Sequence, residues 1–523
     1  MNLYQSKLVT DNVLPFPKAL SSERLEALRL ILSPMERFLE SEVDAAKYDN
    51  ESQFDPKMLS KLAELGAYGL QVPEEYGGIG LNNTEYARLV NALGSHDLAL
   101  GIHLGAHQSI GYKGILLYGT SAQKSKYLPD LASGKRIAAY CLTEPGTGSD
   151  ASAIQTKATL MPDGKYFVLN GSKIWITNGG LADVFTVFAR VPVENLLGPL
   201  GDGFKVAVNI LNQGRFGMAA ALSGTMRVAI GKSVQHALLR KQFGHALNEF
   251  ENVQEKLANM LACQYVTETM AFMLSGSMDQ GANDFQLEAA ISKIYSSEAA
   301  WHCVDEAIQI HGGIGYMREN HLERMLRDLR VFRIFEGAND VLRLFISLTG
   351  LKYASKPMAD TMKSASNMPG FLLKHFKPLF GMSSNSKTLS NSVPPELVPA
   401  ANAVGTCIDG FGFMCVAFML RHRKDNLVND QFCLIRLADA VIEVYAMMCV
   451  LSRSAQAVED KLVTAEYEVQ LTNLICEKGL RNFSRLMREL RTSEKSKQFA
   501  YIKPVTESVF EHGGVVQPTP LGF

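Results

Sequence analysis

Net charge is the first thing this 523-residue chain lacks: 52 Lys and Arg stand against 53 Asp and Glu, a formal charge of -1. Without a global field to draw it onto nucleic acid or acidic lipid, any anion binding must be local. Paired cysteines are missing too. Cys141, Cys263, Cys303, Cys407, Cys415, Cys433, Cys449 and Cys476 form no CxxC and no His/Cys spacing that would chelate zinc. No metal is therefore expected, and the thiols read as ordinary buried residues of a reduced compartment. No apolar run approaches the length of a membrane span, and the opening MNLYQSKLVTDNV is neither a signal h-region nor an Arg-rich presequence. What remains is a chain with 47% hydrophobic and 20% charged residues, globular in composition and long enough for two to four domains.

Periodicity divides it. Asp55 and Pro56 form an N-cap and N1 pair before Met58, Leu59, Leu62 and Leu65, and Gly66 stops that helix. A second helix follows Asn83 and Thr84, and the weakly polar run from Leu98 to Leu117 reads as buried helix. From Ala138 short alternating runs broken by PDGK, NGSK and NGG predict strands. Helical periodicity returns at Phe204 and persists through Leu348, with glycine breaks at Gly312, Gly313 and Gly315. The expected fold is mainly α with a small β-domain: a helical domain over 1–138, a β-domain over 139–200, a helical bundle over 201–350, a linker over 351–397 and a C-terminal helical domain over 398–523. In the linker, Phe371, Leu372, Phe376, Leu379 and Phe380 alternate with Lys374, His375 and Lys377, a pattern that suits a peripheral membrane anchor and equally a linker or partly buried loop.

Chemistry is sought first at Glu336. The run Val331, Phe332, Arg333, Ile334, Phe335 leads into it, and Gly337, Ala338, Asn339 and Asp340 follow as a turn. Desolvation among such neighbours penalises a carboxylate and lifts its pKa toward neutrality, as a general base requires; a structural ion pair with Arg330 or Arg333 is the plainer alternative. Four other stretches bear on the choice. Tyr140 to Asp150 runs from a strand end into a Gly/Thr/Ser turn able to offer amides and hydroxyls to a ring or a phosphate. Trp175, one of two tryptophans, has a hydroxyl two residues on at Thr177, and on one strand face the pair suits a flavin or a plain core. Arg240, Lys241, Gln242, Phe243 close a long helix as a pyrophosphate site or a solvated basic end. Gln309 to Gly315 carries glycines that permit close backbone approach to a ligand.

Taken together and in this order, the five stretches resemble the acyl-CoA dehydrogenase flavoprotein family from about Leu14 to Leu351. The C-terminal ending GGVVQPTPLGF and the run GRFGMAAALSGTM at Gly214 to Met226 are similar to the family's mitochondrial very-long-chain branch. The resemblance implies a helical domain, a β-domain and a four-helix-bundle domain, with an extra C-terminal helical domain. It implies α,β-dehydrogenation of long-chain acyl-CoA with Glu336 as the base. FAD would be held by Tyr140, Leu142, Thr143, Gly148, Ser149, Trp175, Ile176 and Thr177 at the flavin, by Arg240, Gln242, Phe243, Gln309, Gly312 and Gly313 at the pyrophosphate and adenosine from a second subunit, and by Ala338, Asn339 and Asp340. Ser149, Arg215, Phe335 and Gly337 would meet the substrate. It further implies a homodimer, electron-transferring flavoprotein as acceptor, and a mitochondrial site at the matrix face of the inner membrane with peripheral membrane contact. Gly101 and Gly105, at i and i+4, open one helix face, either as the floor of a deep apolar slot or as a tight helix crossing.

The pattern breaks at one place. The chain passes from VFTVFAR to VPVENLLG where the family carries roughly fifty more residues, against ordinary sheet sizes a large part of the β-domain. Unpaired strand edges follow, and with them an expectation of weakened FAD binding. An impaired dehydrogenase-like protein with an assembly or interaction role, and an acyl-CoA oxidase, remain open as alternatives.

Overall fold

The computed structural model describes residues 2–162, 167–189, 197, 203–363, 384–421 and 427–521. The linker aromatics from Phe371 to Phe380 and the junction after Ala189 lie outside these residues. The chain forms two compact units, Phe16–Leu342 and the combination of Met1–Pro15 with Arg343–Phe523.

The first unit begins with helices α1 (Ser22–Glu42), α2 (Ala45–Glu51), α3 (Pro56–Glu64), α4 (Asn83–His96) and α5 (Leu98–Gly105). Their starts follow capping chemistry: Asp55 accepts from the Lys57 N–H with Pro56 in the first turn, and Asn82 and Glu85 form a capping box that opens α4. Gly66 ends α3 in a left-handed conformation, at φ +74°. A π-helical turn, Ala106–Gly111, continues α5 before α6 (Lys113–Tyr118) and α7 (Ser121–Ala132). Next come strands β1 (Ala138–Cys141), β2 (Lys157–Leu160), β3 (Phe167–Asn170) and β4 (Val184–Val187). β1 pairs in parallel with β4, Ala138 opposite Val184, and β2 pairs antiparallel with β3, Lys157 opposite Asn170. Each described sheet here therefore has two strands, with Val168, Leu169 and Phe185 exposed on them.

The long helices α8 (Gly203–Leu239), α9 (Glu251–Asp279) and α10 (Gln286–His311) follow, then α11 (Gly313–Tyr316) and α12 (Leu322–Leu329). α4 crosses α8 at backbone distance. A Cβ on Gly94 would lie 2.1 Å from the Ala221 carbonyl oxygen, and one on Gly224 would lie 2.1 Å from that of Asn91. Hydrogen bonds use the proximity: Asn91 Nδ2 donates to Ala220 O and Ser223 Oγ, and Thr225 Oγ1 donates to Gly94 O.

Helix α13 (Asn339–Lys363) runs past Leu348, so the helical segment is longer than periodicity indicates. In the second unit α14 (Ser384–Ser390) precedes α15 (Val398–Arg421), α16 (Gln431–Glu459), α17 (Ala465–Glu489) and α18 (Thr492–His512). The segment Pro395–Arg421 is long and apolar enough to cross a membrane, contrary to the sequence reading, and more than half of its most apolar window is buried in the fold. Asp409 in its middle is buried and accepts from Asn385 Nδ2 at 2.5 Å, an arrangement of a core helix. All eight cysteines are free, and seven are buried.

Candidate active site

Glu336 lines an apolar cavity with about 530 Å³ of empty space, walled by α4, α5, the π-helical turn, α8 and the Phe332–Glu336 stretch. Leu98, Ile102, Met218, Phe332 and Phe335 supply most of the apolar lining, and Tyr86, Ser109 and Thr177 the hydroxyls. Gly101 and Gly105 both face it, and nothing lies within 4 Å of a Cβ built on either. The two glycines therefore open space rather than admit a crossing helix.

The carboxylate is held by its backbone. Glu336 has φ +53° and Gly337 φ +96°, a left-handed pair that an ordinary Glu adopts only under constraint. Two buried cations supply the constraint: Arg215 Nη2 donates to the Glu336 carbonyl at 3.0 Å, and Lys293 Nζ donates to the Gly337 carbonyl at 2.8 Å. Lys293 also donates to Asn339 Oδ1 at 2.8 Å, and the Asn339 amide donates to Ser297 Oγ and Glu298 Oε1. Asn339, expected at the cofactor, thus spends its whole side chain anchoring the turn. Arg215, expected at the substrate, lies under the Glu336 backbone, where Asn212 Oδ1 accepts from its Nη1 at 2.6 Å.

Glu336 Oε2 is buried with no hydrogen-bond partner. Desolvation pushes its pKa up to about 6, against the opposing pull of Arg215 and Lys293. The ion pair with Arg330 or Arg333 weighed from sequence does not form; the cations that matter come from α8 and α10. Arg215 Nε and Asn212 Nδ2 are likewise buried without partners.

Beside the cavity, the Thr143–Asp150 turn is pinned by residues the sequence did not single out. Glu144 accepts from the Gln155 and Thr156 amides and from Lys173 Nζ at 2.8 Å. Burial pulls its pKa up, but Lys173 and the donors around it outweigh that and hold it at about 2. Lys173 Nζ also donates to the Leu142 carbonyl, and the Ile174 N–H to that of Thr143, so the turn and the Trp175 segment form one edge. Glu144 lies two residues before Gly146 and Lys173 two after Gly171, and charges of opposite sign beside two glycine turns are the signal that could have marked this pair. Tyr140 packs on Phe188 at 4.8 Å between ring centres and donates to the Ala207 carbonyl. Trp175 lies on a turn at φ +59°, not on a strand face, with 83% of its surface exposed. Ile176 is half-buried beside it, while Gly148 and Ser149 are open.

Arg240, Gln242, Phe243, Gln309, Gly312 and Gly313 do not border the cavity. They lie exposed at the ends of α8 and α10, joined where His236 stacks on His311 at 4.5 Å, and Phe243 is 92% exposed. Ala338 is half-buried and Asp340 exposed at the start of α13.

A bare indole beside a cavity hydroxyl, at an edge where Gly146, Gly148 and Gly180 have no atom within 4 Å of a built Cβ, leaves open space for a planar cofactor. A dry acid, Glu336, lines the same cavity. Family models agree along the chain: acyl-CoA dehydrogenase N-terminal domain over 26–135, middle domain over 139–214 and C-terminal domain over 201–350, and an ACAD9/ACADV C-terminal domain over 395–515. The chain belongs to the acyl-CoA dehydrogenase family, whose members are FAD-dependent oxidoreductases.

Among its relatives is the mitochondrial very long-chain specific acyl-CoA dehydrogenase of Macaca fascicularis, 46% identical over 581 positions that cover 100% of this chain and 88% of the relative. That span exceeds the 523 residues present by 58, so at least that many aligned positions have no counterpart here. An acyl-CoA dehydrogenase from Bacillus anthracis solved with FAD superposes with a TM-score of 0.82 at 30% identity, covering 94% of this chain and 91% of that one. Butyryl-CoA dehydrogenase from Megasphaera elsdenii superposes with a TM-score of 0.59 at 31% identity, over 63% of this chain and 98% of that one.

Proposed function

We propose that this enzyme dehydrogenates long- and very-long-chain acyl-CoA in mitochondria, at the matrix face of the inner membrane, and delivers the electrons to electron-transferring flavoprotein. Glu336 takes the α-proton. Its carboxylate is dry enough to be basic near neutral pH, and Arg215 and Lys293 hold the strained turn so that the acid does not swing away. FAD, when bound, accepts the hydride that leaves the β-carbon. Thr177 and Trp175, with Leu142, Thr143, Gly148 and Ser149, would hold its ring, and Arg240, Gln242, Phe243, Gln309, Gly312 and Gly313 its distal half from the second subunit of a homodimer. Phe335 and Gly337 would meet the acyl group beside Glu336.

The cavity floor carries the chain-length reading. With hydrogen in place of side chains at Gly101 and Gly105, the apolar cavity has open room for an alkyl chain there. The very-long-chain name belongs to the relative, and the open floor is what supports it for this chain. Anaerobic addition of palmitoyl-CoA tests the proposal: it should bleach the bound flavin faster than butyryl-CoA does, and equal rates or the reverse order would refute the long-chain assignment. A second reading, an impaired dehydrogenase with an interaction role, is favoured by the two-stranded sheets, and absence of bleaching with every acyl-CoA would support it.

A further inference from the structure

We propose that His103 is a positioning residue that latches the cavity-wall helix α5 to the loop carrying Trp175 and Thr177. This rests on the reading that the loop faces the flavin. α5 presents Leu98, Gly101, Ile102 and Gly105 to the cavity, and its glycines leave that face with little to pack. The π-helical turn Ala106–Gly111 that continues α5 is polar and tied down. His107 donates from Nε2 to the Leu131 carbonyl and accepts the Ala138 N–H at Nδ1, and Gln108 bridges Leu70 and Ala67.

His103 differs because its partner belongs to the other half of the site. Asn178 Nδ2 donates to the His103 carbonyl at 3.0 Å, which orients the amide and leaves Asn178 Oδ1 as the acceptor of His103 Nδ1–H at 2.8 Å. In that tautomer His103 Nε2 accepts from the Tyr68 hydroxyl at 3.0 Å. Asn178 immediately follows Thr177, which lines the cavity. The loop needs holding, because Trp175 at φ +59° and Asn178 at φ +64° are both left-handed, and for a bulky Trp that conformation is costly. On one side the Ile174 N–H is tied to Thr143; on the other stands the two-bond clamp to His103. An acyl chain lying along α5 and a ring lying on the loop would thus share one mechanical connection.

Two substitutions separate the bonds. His103→Asn keeps a donor at the δ position for Asn178 and loses Tyr68, whereas His103→Gln keeps a polar group at the ε position for Tyr68 and loses the side-chain bond to Asn178 Oδ1, leaving the one from Asn178 Nδ2 to the backbone carbonyl. On holoenzyme, His103→Gln and Asn178→Ala should each shift the visible band of the bound flavin and lower kcat about tenfold, as a small misplacement of a reacting site does. Their combination should cost no more than Asn178→Ala alone, since that change already removes both bonds to His103. His103→Asn should restore wild-type behaviour. The opposite ranking, or wild-type behaviour in all variants, would overturn the latch. Trp175 emission in a Trp301→Phe background reports the loop independently: it should shift in His103→Gln and not in His103→Asn. Should Thr177→Ala leave the flavin band unmoved while Trp175 emission still follows that order, the latch stands and the flavin-facing reading is the one that fails.

Discussion

A carboxyl group that is useful as a base is a burden to the fold that carries it. Glu336 has a folded pKa of about 6 against an ordinary 4.5, so the stability it lends is complete below about 4.5 and is lost as pH rises through 6. Activity runs the other way. The base must be ionised, so kcat/KM for a long-chain acyl-CoA should fall roughly tenfold per pH unit below about 6, and a flat profile down to pH 5 would show that Glu336 is not the group titrating. His107 has the contrary sign. Burial holds it neutral, with a pKa near 4, against the Leu131 carbonyl, whose hydrogen bond favours the charged form. Its contribution is full above about 6.5 and is lost as pH falls toward 4. His107→Gln should therefore flatten the loss of Tm between pH 6.5 and 4.5, and an unchanged slope would remove His107 from the acid response. At this scale sequence and structure meet unevenly. The greasy run before Glu336 is visible in the residues, but Arg215 and Lys293 lie far away in the chain, and only the fold brings them to its carbonyls.

Elements place the site through close approach. Gly94 and Gly224 let α4 and α8 touch backbones, so Gly94→Ala should destabilise the protein by about 3 kcal/mol through overpacking, read as a lowered midpoint in urea. Gly101→Leu meets no such obstacle and should fold normally. It should fill the slot instead, lowering kcat/KM for palmitoyl-CoA at least tenfold while sparing butyryl-CoA, since lost burial of several methylenes exceeds the 1.4 kcal/mol that a factor of ten requires. Equal losses on both substrates would place Gly101 away from the chain. Helix starts were legible because Asp55–Pro56 and the region of Asn83–Thr84 carry local chemistry. The end of α13 was not: Pro357 and the Lys and Ser around it made the segment look like a linker, yet the helix continues through it to Lys363. Trp175 misled for a similar reason, since alternation suggests a strand while the left-handed turn is imposed by Thr143 and His103.

For the whole molecule, cofactor retention is expected to depend on the sparse sheets of the middle domain. Two-stranded sheets with Val168, Leu169 and Phe185 exposed give the flavin-bearing edge little support from neighbouring strands. Bound FAD should accordingly exchange, and Tm should climb with added FAD well beyond stoichiometric amounts, as expected when the ligand binds the native state weakly. A Tm insensitive to free FAD would mean that the domain holds its cofactor as tightly as a complete one. The order of helices, strands and helices was readable from periodicity, whereas the expected gap after Ala189 came from the family resemblance and not from any local signal in the residues. Turnover of palmitoyl-CoA by Glu336→Gln holoenzyme is the sharpest test of the chemistry. The variant should bind acyl-CoA and keep its flavin yet leave that flavin oxidised under anaerobic conditions, whereas bleaching at the wild-type rate would show that a different group removes the α-proton.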